Sequence, residues 1–510
     1  MILSCQNISK SYGTDVILDH VSFQMNHHEH LAIVGRNGCG KSTLLDIICG
    51  NLSADEGEAV FGKDITFGYL QQYQKDVINE PIYDYVLKAQ SKLLLMEEQL
   101  RSLEEKMKHV TTEELDVIMD QYQTQLHLFE LLNGNSYRSE VTGVLKGLGF
   151  TTEDLTKEMS MLSGGQKTRV SLARLLVKKP DILILDEPIN HLDLKSIEWL
   201  EGYLSNYQGA MILVAHDRYF LDHTTDHVLD LQNHHARLYK GNYSQFISIK
   251  QEQLLANQRA ITKQAKDIAH QKEVIAKLTQ FHREKSMKRA ASRQRMLERM
   301  ELIDTIDENL SEMSLTFSPE QSSGNDVLTV NHLTKSFDNV LLFSDLNFEI
   351  HRGEHVAIIG DNGTGKTTIF KLIRDMIQPD EGTITLGVNV TVGYYDQAQM
   401  NLDEDKTIIM ELSDTYPSLN QTKVRNVLAA FLFSNDDVFK QIKDLSGGER
   451  GRVSLAKLML SGANFLILDE PTNHLDMESK EILEDAINQY EGTVLLVSHD
   501  RYFVNKTADR

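Results

Sequence analysis

The ten residues SKSYGTDVIL, beginning at Ser9, return as TKSFDNVLLF beginning at Thr334, and this self-similarity constrains the chain more than any other feature. The same spacing of 325 residues carries Gly35 to Gly360, the Asp55-Glu56-Gly57 turn to Asp380-Glu381-Gly382, and Gln72 to Gln397. Farther along, the spacing becomes 283: Ser163 matches Ser446, Asp186 matches Asp469 and His216 matches His499. The first copy therefore holds 42 residues more than the second between Gln72 and Ser163. A chain of 510 residues is too long for one core, so a duplicated motif series implies two like domains.

The extra residues read as a helical hairpin. Leu93, Met96, Leu100, Leu103 and Met107 recur in steps of three and four, as do Leu115, Ile118, Tyr122, Leu126 and Phe129. Two helices with one apolar seam each pair with one another, and Thr111 and Glu114 between them form a capping box. A second, longer hairpin joins the copies. Leu254, Ile261, Ile268 and Ile275 recur every seven residues, followed by a basic stretch and then by Met296, Met300, Ile303 and Ile306 at helical spacing. A first helix of about 40 residues would extend roughly 60 Å. The expected organisation is a first domain over 1–243 with an inserted arm at about 84–133, a helical linker over 244–326 and a second domain over 327–510.

The repeated residues carry phosphate chemistry. Gly35 to Ser42 reads GRNGCGKS and Gly360 to Thr367 reads GDNGTGKT, each after a short apolar strand and before a helical run. Glycines let the backbone approach phosphates closely, and the N–H groups of a loop opening a helix bind them with fixed dipoles. Gly35, Asn37, Gly38, Gly40, Lys41, Ser42 and Thr43 form one candidate cradle; Gly360, Asn362, Gly363, Gly365, Lys366, Thr367 and Thr368 form the other. Lys41 and Lys366 are placed for the terminal phosphates, and Ser42 and Thr367 for Mg²⁺.

Asp186 and Asp469 close apolar strands, where a carboxylate can hold Mg²⁺ through water, and the next residues, Glu187 and Glu470, are placed to polarise an attacking water. His216 and His499 also follow apolar strands, and their matched positions make them candidate γ-phosphate contacts. In MLSGGQ and DLSGGE, Ser163, Gly164 and Gly165, and Ser446, Gly447 and Gly448, open two further helices. One nucleotide has a single triphosphate, so two anion cradles per copy make sense if each copy completes the other's site.

Composition narrows the setting. No run approaches the roughly 18 to 20 apolar residues of a membrane span, and the first residues lack a signal sequence, so a cytoplasmic chain is expected. Cys5, Cys39 and Cys49 form neither a disulfide framework nor a zinc spacing. The formal net charge of −22 argues against indiscriminate coating of nucleic acid. Residues 281–300 reverse it locally, with Arg283, Lys285, Lys288, Arg289, Arg293, Arg295 and Arg299 against Glu284 and Glu298. A basic hairpin turn of that kind suits RNA phosphate, while Phe281 alone offers no aromatic stacking series.

Taken in order, the two motif series resemble the ATP-binding-cassette proteins, an α/β fold with a P-loop, Q-loop, signature, Asp-Glu pair and switch histidine per cassette. The resemblance implies ATP and Mg²⁺ as cofactors and tandem cassettes that pair within the chain. It also implies that Tyr12 and Phe337 stack on adenine and that Gln72 and Gln397 sense Mg²⁺ and water. Ser163 and Gly165 would face the second P-loop, and Ser446 and Gly448 the first. The arm, the helical linker, HDRYF in both copies and PTNHLD from Pro471 are similar to the ABC-F branch. That likeness implies an ATPase that binds the ribosome near the tRNA exit site. Its arm would touch large-subunit protein or RNA, and its linker tip ribosomal RNA and peptidyl-tRNA. Translation factor and antibiotic-resistance protection factor both remain open. Two rivals stand beside this reading: the ATPase subunit of an exporter, which would need a membrane partner, and a DNA-repair ATPase.

Two departures stand out. Ile189 occupies the position of Thr472, although Asn190, His191, Leu192 and Asp193 keep the pattern, so a tuned first site is expected. Arg510 aligns with His227, before any counterpart of VLDLQNHHARLYKGNYSQF, so the second cassette is expected to lack its final strands, as in a fragment.

Overall fold

The runs ILILD, AMILV, FLILD and TVLLV leave no polar face, and only a parallel sheet covered on both sides buries both faces of a strand. In the computed structural model of the protein they are the strands Ile182–Asp186, Ala210–Val214, Phe465–Asp469 and Thr493–Val497, buried along their whole length. The structure describes the chain apart from residues 71–79, 110–111, 191, 281–283, 299–318, 338–339, 362, 397–401, 434–435 and 474.

The described residues divide into two compact units, Met1–Asn242 with Leu315–Arg510, and Tyr243–Ser314. In the first unit, one six-stranded sheet has the order Phe67–Leu70, Ile182–Asp186, Ala210–Val214, His30–Val34, His227–Gln232, His235–Lys240. All neighbours are parallel except the last pair. The second copy builds a parallel four-stranded sheet from His355–Ile358, Thr493–Val497, Phe465–Asp469 and Val392–Asp396. Beside its edge strand, the Ala357 N–H donates to Arg510 O at 2.8 Å.

Each copy adds an antiparallel three-stranded sheet, Asp15–Met25, Leu3–Tyr12 and Glu56–Phe61 in the first, Val340–His351, Asp326–Phe337 and Glu381–Leu386 in the second. The helix after each P-loop, Lys41–Ile48 or Lys366–Ile373, is pressed between the two sheets, with Leu44, Leu45, Ile48, Phe370 and Ile373 in the shared cores. This layering fixes each P-loop at the carboxyl ends of the parallel strands, where ligands bind in such sheets.

The insertion forms the helices Ser91–Met107 and Thr112–Leu131, and Leu93, Leu100, Leu103 and Phe129 are buried. Tyr122 ties them by donating to Glu104 Oε1 at 2.9 Å. The capping box expected at Thr111 and Glu114 lies outside the described residues and side chains.

The second unit contains a helix of 38 residues, Tyr243–Gln280, about 57 Å long at 1.5 Å per residue, and the shorter helix Glu284–Glu298. Leu254, Ile261, Ile268 and Ile275 are half-buried, as an apolar seam requires. Met296 departs from expectation: it is 57% exposed, whereas Ala290 is buried. A small residue lets two helices approach closely, and the bulky thioether six positions on turns outward. Met300, Ile303 and Ile306, and Phe281, Arg283 and Arg299 of the basic tip, lie outside the described residues. Among those residues no helix is long and apolar enough to cross a membrane.

Candidate nucleotide site

Both P-loops turn into their helices through a glycine with left-handed backbone, Gly40 at φ 100° and Gly365 at φ 95°. A Cβ on Gly40 would stand 2.7 Å from the Ile17 side chain, so only glycine fits both the angle and the space. The two lysines sit alike. Lys41 Nζ donates to the carbonyls of Gly35 at 2.7 Å and Arg36 at 3.0 Å, and Lys366 Nζ to those of Gly360 at 2.7 Å and Asp361 at 2.9 Å. Each ammonium is thus held over its loop, facing where phosphate oxygens would lie.

At the strand ends, Ser42 Oγ donates to Asp186 Oδ2 at 3.0 Å, bringing together two hard oxygen atoms of the kind that suit Mg²⁺. Burial raises the Asp186 carboxyl, opposed by Ser42 and Lys41. Glu187 and Glu470 both adopt left-handed backbone, at φ 50° and 48°, an unusual conformation for glutamate that recurs in both copies. Burial, then the neighbouring aspartate, pushes Glu187 up to about 8. Glu470 rises to about 7, chiefly by burial, against the pull of the His499 backbone N–H. Glu187 Oε1 is buried and has no hydrogen-bond partner among the described residues, with His216 Nε2 3.4 Å away. His499 Nε2 stands 3.3 Å from Glu470 Oε1. Burial and Lys366 lower His499 to about 4, so it is neutral at physiological pH.

The signature stretches owe their shape to capping. Ser163 accepts from the Gln166 N–H at 3.3 Å while its own N–H donates to Gln166 Oε1 at 3.0 Å, and Ser446 and Glu449 repeat this reciprocal box. Gly164 and Gly447 follow as the first helical residues, a position whose N–H groups have no carbonyl partner within the helix and can bind an anion.

The two cassettes belong to one unit, and a cavity of about 890 Å³ runs between them. Asn37, Lys41, Ser42, Asp186, Glu187 and His216 line it together with Ser446, Gly447 and Gly448 of the other cassette. Ser163, Gly165, Glu470 and His499 line it too; Lys366 and Thr367 do not. The cassettes meet directly at the first P-loop, where the Asn37 N–H donates to Asp476 Oδ2 at 2.9 Å. Tyr12 and Phe337 are 53% and 47% exposed, each with a lysine over its ring, Lys10 at 5.9 Å and Lys335 at 5.2 Å. Gln72, Gln397, Asn362 and His191 lie outside the described residues.

Comparison with known proteins shows the family. A family model described as ABC transporter matches residues 18–190 and 343–473, and a second of the same description matches 229–317. "Putative ATP-binding protein YdiF" of Bacillus subtilis (strain 168) is 45% identical over 511 residues, covering 100% of this chain and 79% of that protein. "Energy-dependent translational throttle protein EttA" of Mycobacterium tuberculosis (strain ATCC 25618 / H37Rv) is 34% identical, covering 99% and 90%, and "ABC transporter F family member 5" of Arabidopsis thaliana is 34% identical, covering 99% and 74%. The chain belongs to the ABC-F family. It is an ATP-hydrolysing enzyme built of two tandem cassettes. The solved structure titled "RNase-L Inhibitor" superposes with a TM-score of 0.58 over 99% of this chain and 87% of that one, at 22% identity, and shows the same fold.

Within this ABC-F protein, three features escape motif reading. Thr472 Oγ1 and Ser498 Oγ lie 3.0 Å apart and buried, whereas the first cassette has Ile189 and Ala215 at the matching positions. The Ile189 departure is therefore one half of a paired exchange, visible only once both positions are aligned. The HDRYF arginines cross the interface, Arg218 to Glu481 and Arg501 toward Glu198. Lys480, matching Ile197, lines the cavity and carried no motif to flag it.

Proposed function

We propose that this ABC-F protein is a cytoplasmic translation factor that closes its two cassettes on two ATP molecules, binds the ribosome in that state, and leaves it on hydrolysis. The observation that carries this reading is the cavity that joins the first P-loop to Ser446, Gly447 and Gly448 of the second cassette. A site completed by both cassettes converts nucleotide occupancy into closure. Similarity across 99% of the chain to a protein named as a translational throttle favours translation as the process so controlled.

In this assignment Lys41 and Lys366 grip the terminal phosphates, Tyr12 and Phe337 stack on adenine, and Glu187 and Glu470 orient water and receive its proton, with His216 and His499 holding the γ-phosphate. Ser42 and Asp186, and Thr367 and Asp469, would hold Mg²⁺, with Gln72 and Gln397 assigned to sense the ion and water; the ion would neutralise phosphate charge during transfer. The arm at 84–133 contacts the large subunit, and the tip at 281–300 contacts ribosomal RNA or peptidyl-tRNA.

The test is a sucrose gradient of lysate containing the E187Q E470Q double variant. Turnover should fall on the order of 10²-fold while ATP binding persists, because an amide keeps the shape of a carboxylate but not its basicity. ATP should then hold the variant in the 70S fraction. Absence from that fraction, with ATP bound, overturns the ribosome assignment. Raised tolerance to a ribosome-targeting drug on expression would mark a protection factor.

A further inference from the structure

The HDRYF arginines form a reciprocal clasp between the cassettes. Arg218 donates to Glu481 Oε1 at 2.7 Å and lies over the Tyr502 ring, 4.7 Å from its centroid. Arg501 reaches Glu198 at 3.4 Å and Glu201 at 3.5 Å and lies over the Tyr219 ring at 5.2 Å. Glu198 and Glu481 are matching positions, so the clasp obeys the pseudo-twofold symmetry of the repeat.

At its centre the symmetry fails. Lys480 Nζ donates to Asp500 Oδ2 at 2.7 Å within its own cassette and to the backbone carbonyl of His216 in the other, also at 2.7 Å. Asp217, next to His216, is buried beside it. Burial would pull the ammonium down, yet Asp500, Asp217 and Glu187 outweigh it and hold Lys480 above the ordinary lysine value. The matching residue, Ile197, has no charge and no donor with which to do the same for the His499 backbone.

We propose that Lys480 is a positioning residue for the first ATP site alone: it ties the backbone of His216 to the second cassette and so presets the His216–Glu187 pair when the cassettes are docked. The second site has no such tie at Ile197. Hydrolysis at the first site is therefore coupled to docking more tightly than hydrolysis at the second, and the two sites turn over unequally.

This inference rests on the assignment of Glu187 and Glu470 made above, which the double glutamine variant tests by itself. With that assignment in hand, each site is observed alone, the first in an E470Q background and the second in an E187Q background. Adding Lys480→Met should lower first-site kcat about tenfold with KM unchanged, since positioning acts on the transition state rather than on uniform binding. Second-site kcat should stay within about twofold by the same criterion. Lys480→Arg, which keeps the charge and two donors, should restore most of the first-site rate. Equal losses at both sites would make Lys480 mere interface adhesive and overturn the proposal, as would no loss at either. Should Lys480→Met fail to fold, as judged by its melting temperature, Lys480→Gln takes its place under the same criterion.

Discussion

Glu187 shows at the scale of one residue how a site stores destabilisation. Its carboxyl, ordinarily near 4.5, is pushed up to about 8 by burial and by Asp186. Between those values the unfolded chain loses a proton that the folded chain keeps, so the unfolded state binds fewer protons and stability falls as pH rises from 4.5 toward 8. Below 4.5 both states are protonated and the effect vanishes. Without nucleotide, E187Q should therefore be more stable than the parent at pH 7, by on the order of 3 kcal/mol, with the difference gone below pH 4, as read by urea denaturation across pH. Glu470, raised to about 7, should behave alike with a narrower window. The Thr472–Ser498 pair gives a second expectation. A serine hydroxyl at buried Ala215 has no threonine opposite it, so A215S should cost about 1 to 2 kcal/mol, and adding I189T should recover most of it. Strict additivity of the two changes would deny the pairing.

At the scale of elements, the signature helices combine two tasks in one short stretch. The capping box uses the side chains of Ser163 and Gln166, or of Ser446 and Glu449, to hold the helix start, and the glycines that follow leave its N–H groups approachable. Ser446→Arg adds bulk and removes that cap, at a place that shares a cavity with Lys41. Its loss should appear as failed hydrolysis at the Lys41 site, and that of Ser163→Arg at the Lys366 site, measured as nucleotide trapped per site. The reverse pattern would contradict head-to-tail pairing. The arm seam from Leu93 to Phe129 was legible from spacing because two neighbouring amphipathic helices turn their apolar faces toward each other. Met296 was not: the same spacing rule cannot tell which of several apolar residues on a short helix turns inward when a small one, Ala290, permits closer approach.

At the scale of the whole molecule, two of the contacts between cassettes are matched in position and carry one sign per cassette. Arg36 of the first cassette pairs with Glu478 of the second at 2.7 Å, and Lys195 of the first pairs with Asp361 of the second at 2.8 Å. The repeat relates Arg36 to Asp361 and Lys195 to Glu478, so the first cassette is basic at both contacts and the second acidic at both. At these two contacts, pairing of unlike cassettes is neutralised, while pairing of like cassettes from two chains would set like charges opposite each other. The basic tip follows a separate electrostatic logic. Changing Arg283, Lys285, Lys288 and Arg289 to Gln should weaken ribosome binding and flatten its salt dependence by up to about 0.7 to 0.9 per lost phosphate contact on a log-log plot, with basal ATPase activity retained. Identical salt slopes for parent and variant would leave the tip a solvated face.

The duplication and the places of the P-loops, the strand-end acids and the paired histidines were legible in the sequence, because the same residues recur at fixed spacing in both copies. Apolar runs such as ILILD likewise fixed which strands are buried on both faces. Tertiary structure alone decided what lies across the interface. Arg218 meets Glu481, and Lys480 meets the backbone of His216, over sequence separations of more than 260 residues, and no local pattern encodes such contacts. The exchange of Thr472 and Ser498 for Ile189 and Ala215 also needed the fold, since a hydroxyl pair is recognised by its 3.0 Å approach and not by either residue singly. Local spacing specifies which groups a segment presents; packing of distant segments specifies which group each one meets, and how far burial moves its charge.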